Sequence, residues 1–555
     1  MDLSSASSYS DDSRLTQPSP LTIIVSDMTS VMKCKYHLTY GQQSVSTGKR
    51  MNGSAWASNG SQPRIAIIGA GMSGIAAVIL LRKAGYTDLT VYEKEAEIGG
   101  TWRDNRYPGL SCDVPSYWYS YSFAPNSDWS HRFSYGPEIH AYLKRVVADF
   151  DVTSAIRFNS PVTSLTYHGP HWELITTGGQ SEIYDFVIAA TGILHHPAYP
   201  DIPGLDDFAG NMFHSARWDD SVPLEDKKVG IIGTGSTAAQ IVGEVTPRVA
   251  HMTVFQRTPH WIVPMPQKTY SKPWKAFLHL FPFVHKILAS SYRRVMLSTF
   301  AKATVGDKKG QEQLTNACRK HLESAVEDEA LRAKLTPDYQ AACKRLILCS
   351  DYYPAISSDK ADLITDAIHS IESKGVRTVD GQLHELDVLV LATGFRAGDF
   401  LLPTKVTGEA GVDLETLWDG SPRAHRAMTV PGFPNLWLLE GPTGPVGNLS
   451  LIDITERQID YMIQCLNKMK QDGLAAIAVK AEAFDNYNQA IDEAIKDTVW
   501  YTGGCESWYI DKSGRPNLYP WHPSLFFQEM KRPEFSEYRL MTTVAPESDN
   551  PAQAA

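Results

Sequence analysis

Residues 64–74 read RIAIIGAGMSG. A run of strand formers ends at Gly69, and Gly69, Gly71 and Gly74 set out G-x-G-x-x-G. The apolar stretch IAAVILLRKAG, residues 75–85, continues as a helix. The first glycine permits a tight turn, the second lets backbone approach a pyrophosphate, and the third lets the helix lie close to the strand. The helix N-terminus then favours the phosphate charge. A second strand, LTVYEK, carries Glu93 where an acid takes ribose hydroxyls. Strand, loop, helix and acid in this order predict an α/β dinucleotide-binding unit.

Further along, residues 227–238 read KKVGIIGTGSTA and repeat the pattern with Gly233, Gly235 and Ala238. The strand that follows, HMTVFQRTP, ends on Arg257 and Thr258. Gly69 to Glu93 is 24 residues, and Gly233 to Arg257 is also 24. One structural slot therefore holds an acid in the first unit and a guanidinium in the second. A carboxylate suits a free 2′-hydroxyl and repels a 2′-phosphate; a guanidinium pairs with the phosphate. The first site suits FAD or NAD, the second NADP(H), with Thr258 adding a phosphate-capable hydroxyl.

Two further stretches, YDFVIAATG at 184–192 and DVLVLATGF at 387–395, each run from an acid through an apolar strand to Ala-Thr-Gly. They fall where one nucleotide domain should hand over to the other. The expected fold is α/β, with two Rossmann-like dinucleotide-binding domains, for FAD and for NADP, and a helical insertion. The expected parts are an FAD domain over 61–204 and 391–535, and an NADP domain over 205–262 and 342–390. Helices fill 263–341, a disordered leader occupies 1–60, and a tail 536–555. Met51 offers an alternative start shortly before the first strand.

Composition narrows the function. The net charge of -10, with no basic stripe, argues against a nucleic-acid partner. The 7 cysteines, at 34, 112, 318, 343, 349, 465 and 505, form no C-x-x-C, so neither a metal site nor a redox motif is expected. Sparse, unpatterned cysteine fits a reducing compartment. The N-terminus MDLSSASSYSDDSR is not a signal peptide and no apolar run reaches about 20 residues, so a cytoplasmic protein is expected. The aromatic and basic residues 263–300 offer a membrane-surface alternative. Pro282 breaks their amphipathic pattern, so a lid or core subdomain is the stronger reading.

Between the two loops lies FAGNMFHSARWDD, residues 208–220. Neither a helical nor a strand period explains its Phe208, Gly210, His214 and Trp218. They match F-x-G-x-x-x-H-x-x-x-W followed by Asp219, the fingerprint of type I Baeyer–Villiger monooxygenases. A longer signature of that family matches GGTWRDNRYPGLSCD, through Gly99, Gly100, Trp102, Tyr107, Pro108, Gly109 and Asp113. With both nucleotide loops, the chain resembles that family over 61–535.

The resemblance implies an FAD-containing enzyme that uses NADPH and O2 to turn a ketone into an ester or lactone through a C4a-peroxyflavin. It makes His214, with Phe208, Gly210, Trp218 and Asp219, a domain-coupling element and not a general base. Nucleophilic attack on a ketone needs the peroxide kept anionic, and it creates an oxyanion. A permanently charged, multi-donor cation beside the flavin stabilises both. ACKRLILCSDYYP, residues 342–354, resembles the segment that supplies it. By that likeness Arg345 is the catalytic cation, Asp113 holds it, and Lys344 joins Arg257 at the 2′-phosphate. Trp102 and Tyr119 would line the flavin, and Trp508, in ESWYIDKSGRPN, would close over NADP on a loop with Ser513, Gly514 and Pro516 as hinge residues. Asn448 and Asp453 fall in a segment that approaches the flavin in relatives. A polyketide or terpenoid ketone of secondary metabolism is the expected substrate, by analogy alone. Three other readings share the fold. A nitrogen- or sulfur-oxidising flavin monooxygenase would not need to hold an anion. A non-catalytic FAD/NADP-binding regulator would bind both nucleotides without turnover. A disulfide reductase would need a cysteine pair beside the flavin, and Cys112 has no close partner in sequence.

Overall fold

The computed structural model describes residues 62–447 and 449–542. The expected leader, Asn448 and residues 543–555 lie outside them.

The first sheet opens with β1 (Ile65–Ile68), helix α1 (Met72–Lys83), β2 (Leu89–Tyr92), β3 (Ile156–Arg157) and β4 (Phe186–Ala189). The second contains β5 (Asn211–His214), β6 (Lys228–Ile232), helix α2 (Ser236–Val245), β7 (His251–Phe255), β8 (Ala361–Ile364) and β9 (Val388–Leu391). A later strand, β10 (Leu436–Leu438), returns to the edge of the first sheet. The strand orders are β10-β4-β1-β2-β3 and β5-β9-β6-β7-β8. Every pairing in both is parallel. Each sheet thus reads as edge strand, Ala-Thr-Gly strand, glycine-loop strand, acid-or-arginine strand, edge strand. The strands β1, β4 and β9 are buried along their whole length, because parallel sheets are covered on both faces.

The glycine loops explain their own composition. Gly69 has φ +103°, and a Cβ there would lie 2.6 Å from the Ala190 carbonyl oxygen. Gly233 has φ +120°, and its Cβ would lie 2.3 Å from the Ala392 oxygen. In both units the backbone that ends the Ala-Thr-Gly strand presses on the first glycine. The third position differs. A Cβ on Gly74 would come within 1.9 Å of the Gly69 oxygen, whereas Ala238 is fully buried in α2 with its methyl accommodated.

Helices α3 (Lys272–Leu280), α4 (Phe283–Ser298), α5 (Phe300–Thr304), α6 (Lys308–Ala325) and α7 (Glu329–Leu335) occupy the region read as a helical insertion. Pro282 separates α3 from α4, and the corner leaves Leu280 and Phe283 75% and 60% exposed. Among the described residues no helix is long and apolar enough to cross a membrane. Helix α8 (Leu451–Asp472) packs along α1.

Two expectations need correction. Residues placed in the tail are not all outside the fold: Tyr538–Met541 pairs antiparallel with Ala476–Val479, and Tyr538 is buried. The cysteines are not all free either. Cys343 and Cys505 are disulfide-bonded, while Cys112, Cys318, Cys349 and Cys465 are buried thiols. Spacing rules detect cysteines that are near in sequence; these two stand 162 residues apart and only the fold brings them together.

Candidate active site

The segment Gly99–Asp104 lies directly on the first glycine loop. Gly99 and Gly100 take φ +128° and +54°, and a Cβ on Gly100 would sit 3.1 Å from the Gly71 Cα. That close approach places Trp102 in a short helix, Thr101–Asp104, where its indole N–H donates to the Tyr119 hydroxyl at 3.2 Å. The two rings meet edge to face, and both are buried. At the end of β2, Glu93 accepts the Ala70 N–H at 2.8 Å, the Glu95 N–H at 3.0 Å and Arg103 at 3.1 Å. Its carboxylate is therefore fixed against the glycine loop.

Space for the two nucleotides is visible at the second glycine of each loop. A Cβ on Gly235 would meet nothing within 4 Å, and one on Gly71 would touch only the Gly100 Cα, at 3.7 Å. Each glycine opens onto the start of a helix, α1 or α2, where backbone N–H groups lack partners within the helix. The residues present fit a pyrophosphate in each unit.

The chain then crosses from one unit to the other. Gly109 has φ +81°, and a Cβ there would lie 2.7 Å from the Gln240 carbonyl oxygen on α2. The Tyr107 hydroxyl donates to Gln240 Oε1 at 3.1 Å, and Gln240 Nε2 donates to the Ser111 carbonyl at 3.1 Å. Anchored in this way, Asp113 meets Arg345, 232 residues away in sequence. Arg345 Nε and Nη2 donate to Asp113 Oδ2 at 2.9 and 2.6 Å. The Asp113 charge raises the guanidinium pKa further above its ordinary value, against the opposing effect of burial. Arg345 also hydrogen-bonds the Tyr509 hydroxyl. A third of the Arg345 side chain remains open, 34% by area, so the pair leaves it a free face.

Beside Arg345, Lys344 lies over the Tyr339 ring at 5.1 Å. Burial and the nearby Arg257 charge lower its pKa. Arg257 is exposed with no ion pair among the described residues, so the two cations leave room for an anion beside them. Thr258 offers its carbonyl to the Thr234 hydroxyl at 2.7 Å, and that hydroxyl also meets His260 Nδ1 at 3.1 Å. Burial, then the Lys344 charge, lowers the His260 pKa to about 4, so this imidazole is neutral.

His214 closes strand β5. Its ring lies 5.4 Å from that of Tyr199 and 6.0 Å from that of Phe395, so it touches both passages of chain between the sheets. The two passages are bound together there. Ala198 N–H donates to the Gly394 carbonyl at 2.9 Å, and the Thr393 hydroxyl to the Ala198 carbonyl at 2.6 Å. His214 Nδ1 accepts the Ala216 N–H at 3.1 Å, which leaves the proton on Nε2. That nitrogen is buried, and its polar neighbour is the Gly394 backbone. Burial lowers its pKa to about 4, although the Gly394 backbone favours protonation. A neutral histidine that packs on the crossing chains, and not on the Arg345–Asp113 pair, is not placed as a general base.

The rest of the fingerprint is local. Trp218 stacks edge-on against Phe213 at 4.9 Å. Gly210 is required because a Cβ would lie 2.5 Å from the Asp387 oxygen, with the Phe208 ring at 2.7 Å. Asp219 is exposed and accepts from the Ser221 backbone and hydroxyl at 2.9 and 2.6 Å. Trp508 is 43% exposed and 4.3 Å from the Tyr509 ring, so it is not a core residue. Asp453 accepts from Trp118 and from Arg293 of α4, both at 3.3 Å, tying the helical insertion to the chain beside Tyr119.

Sequence reading did not find Gln240, Tyr509 or the disulfide. Tyr509 had a signal, being the neighbour of Trp508 in the same motif. Gln240 had none: it is one more polar residue on a helix until Tyr107–Ser111 docks on it.

Comparison with known proteins agrees with this geometry. A family model described as flavin-binding monooxygenase-like matches residues 62–401. A Baeyer–Villiger monooxygenase of Streptomyces coelicolor is 39% identical over 485 residues, covering 86% of this chain and 92% of the relative. One from Pseudomonas aeruginosa is 35% identical, with the same coverage, 86% and 92%. Among solved structures, cyclohexanone monooxygenase from Rhodococcus bound to NADP+ matches with TM-score 0.77 at 28% identity, over 86% of this chain and 99% of that one. An oxidised steroid monooxygenase bound to NADP matches with TM-score 0.78 at 26% identity, over 87% and 100%.

Proposed function

The chain belongs to the flavin-binding monooxygenase-like family, and we propose that, as an FAD-containing, NADPH-dependent Baeyer–Villiger monooxygenase, it inserts one atom of O2 beside a ketone carbonyl to give an ester or lactone. The observation that carries this reading is the Arg345–Asp113 pair, contributed by the two nucleotide units and meeting between them.

Bound FAD would supply the chemistry of oxygen activation, after accepting a hydride from NADPH. The chain's own residues bind, orient and stabilise charge. Gly71 and the start of α1 hold the FAD pyrophosphate, Glu93 takes the ribose, and Trp102 and Tyr119 wall the ring system. Gly235 and the start of α2 hold the NADPH pyrophosphate, while Arg257, Thr258 and Lys344 hold the 2′-phosphate. Arg345 stabilises negative charge that develops on the carbonyl oxygen of the substrate, and a guanidinium does so without surrendering a proton. Asp113 fixes its orientation. His214 couples the two passages between the sheets, so that motion of one nucleotide unit reaches the other. On this reading the FAD domain spans 61–204 and 391–535, and the NADP domain 205–262 and 342–390, with helices 263–341 bordering the substrate space.

The substrate is proposed as a ketone of secondary metabolism, a polyketide or terpenoid. Purified holoenzyme with NADPH and ¹⁸O2 should give, from one member of a ketone panel, an ester carrying a single ¹⁸O. Oxides of amines or sulfides as the only products would move the chain to the heteroatom-oxidising branch. Nucleotide binding without NADPH oxidation would leave a regulator. The exposed corner at Leu280 and Phe283 keeps a membrane-surface reading testable: sedimentation with anionic vesicles separates a lid, which stays in solution, from a surface-bound helix.

A further inference from the structure

Cys343 immediately precedes Lys344 and Arg345, and Cys505 stands three residues before Trp508. Their disulfide therefore ties the segment that carries the cations to the base of the loop that carries the aromatics. The surroundings are built for this contact. A Cβ on Gly503 would lie 2.7 Å from the Cys343 Cβ and 2.8 Å from its Sγ, so only glycine lets the loop lie this close. The Gln340 N–H donates to the Gly503 carbonyl at 3.0 Å. Beyond Tyr509 the loop turns at Gly514, φ +81°, and its far limb is held by side chains. Asp511 accepts the Ser421 hydroxyl at 2.6 Å, and Asn517 Oδ1 accepts the Thr443 N–H at 2.7 Å. The near limb has no such support. Among the described residues, no hydrogen bond joins Gly504–Trp508 to the chain outside the loop, and Glu506 and Trp508 are exposed. Between Gly503 and Tyr509 the disulfide is the covalent hold on this limb, beside the attraction of exposed Glu506 for Lys344.

We propose that Cys343–Cys505 is a redox-controlled staple that positions the 503–517 loop, with Trp508 and Tyr509, over Lys344 and Arg345, and that a dithiol reductant opens it. The proposal rests on the reading of Arg345, Lys344 and Trp508 given above. The attack has a direction. Cys343 is 1% exposed, whereas Cys505 is half-buried, so an incoming thiolate reaches the Cys505 sulfur. A bond forms from the reductant to Cys505 Sγ as the Cys343–Cys505 bond breaks, and the electron pair leaves on the Cys343 sulfur. The reductant's second thiolate then displaces Cys505 and closes a disulfide within the reductant. Two electrons pass to the protein, which ends with two thiols. Cys343 is followed in the chain by Lys344 and Arg345, and neighbouring cations favour a thiolate leaving group.

Once opened, the near limb loses its anchor, Tyr509 loses its fixed seat on Arg345, and NADPH is held less tightly. The cofactor cradles in β1–α1 and β6–α2 are untouched, so FAD stays bound. The test uses the intact holoenzyme. Alkylation without reductant, digestion and mass spectrometry should find a peptide cross-linked through Cys343 and Cys505. Cleavage by a glutamyl endopeptidase after Glu506, exposed on the near limb, should then speed up several-fold when dithiothreitol is added to the wild type. In Cys505→Ser it should be fast with or without dithiothreitol. The KM for NADPH should rise several-fold in the reduced protein and in Cys505→Ser, with the flavin-to-protein ratio constant. A general loss of folding would instead lower flavin content. Free thiols at both positions overturn the proposal, as does a cleavage rate and KM indifferent to reduction. None of these readouts needs a ketone, so the staple can be tested even on a chain that forms no ester.

Discussion

The two nucleotide units share an offset, a strand order and a loop, and differ in what they do with them. Each sets the residue proposed to meet the ribose 24 positions after its first glycine. Each sets its Ala-Thr-Gly strand beside its glycine-loop strand, so that a backbone carbonyl presses on that glycine. Against this common frame the differences are chemical and local. The first unit follows β2 with Glu93, buried and tied to Ala70; the second follows β7 with Arg257, exposed and without an ion pair among the described residues. The first requires glycine at its third loop position, and the second buries a methyl there. The frame is thus common to both units, and on the proposed function one side chain per unit selects the nucleotide. The proposed chemistry needs both, because it rests on the pair that Asp113 and Arg345 form across 232 residues.

The sharpest break in the comparison is at the third loop position. Gly74→Ala drives a methyl to 1.9 Å from the Gly69 oxygen, and α1 must move off the strand. We expect FAD to be lost, read as the absorbance ratio of flavin to protein after gel filtration. Ala238→Gly in the second unit should cost only the helix penalty of about 1 kcal/mol. Equal behaviour of the two variants would show that the loops do not differ sterically. Next in size is the meeting point. Arg345→Ala should lower ester formation by about 10²–10³-fold, the scale of a lost oxyanion donor, while NADPH still reduces the flavin. Arg345→Lys should not restore it, since an ammonium lacks the guanidinium's fork and gives up its proton in a dry site. Normal ester formation in either variant would sink the assignment.

The slot that separates the units by charge gives a smaller, directional effect. Hydrogen bonds to charged groups contribute about 1.5–3 kcal/mol, so Arg257→Ala should weaken NADPH about 10- to 100-fold. NADH, which lacks the 2′-phosphate, should be unaffected. If both nucleotides weaken alike, Arg257 is not at the phosphate and Lys344 becomes the remaining candidate.

What could be read in the sequence follows from the range of the physics involved. Each glycine loop with its strand and helix is local, and its constraints are backbone constraints, so RIAIIGAGMSG and KKVGIIGTGSTA announce themselves. The slot at Glu93 and Arg257 is legible because a strand and a helix of fixed length separate it from the loop. Arg345 and Asp113 were reached through family resemblance, since nothing in either segment points across 232 residues. Cys343 and Cys505 carried no pattern, and their pairing depends on where Gly503 brings the loop. Tyr538–Met541 carries no strand signal of its own, because four residues have no periodicity to display until Ala476–Val479 lies beside them.

A last contrast concerns buried imidazoles. The second unit buries His214 and His260, each with its pKa lowered to about 4 from 6.5, chiefly by desolvation. Both are therefore neutral in the folded chain at neutral pH, whereas in the unfolded chain they titrate near 6.5. Stability from keeping them neutral is fully present above pH 6.5. It erodes as pH falls from 6.5 toward 4, because only the unfolded state takes up those protons in that window. Replacing His214 with Gln removes one such group while keeping a polar side chain on the crossing passages. The Tm of the wild type should fall between pH 7 and pH 5, and that of His214→Gln should fall less, by on the order of a few degrees. His214→Gln should also slow ester formation with FAD retained, if the residue couples the two units. A variant that matches the wild type in turnover but flattens the pH profile would leave His214 as a buried structural imidazole. Coupling between the two sheets would then rest on the hydrogen bonds at Ala198 and Gly394, with the Gln240 and Arg345–Asp113 contacts.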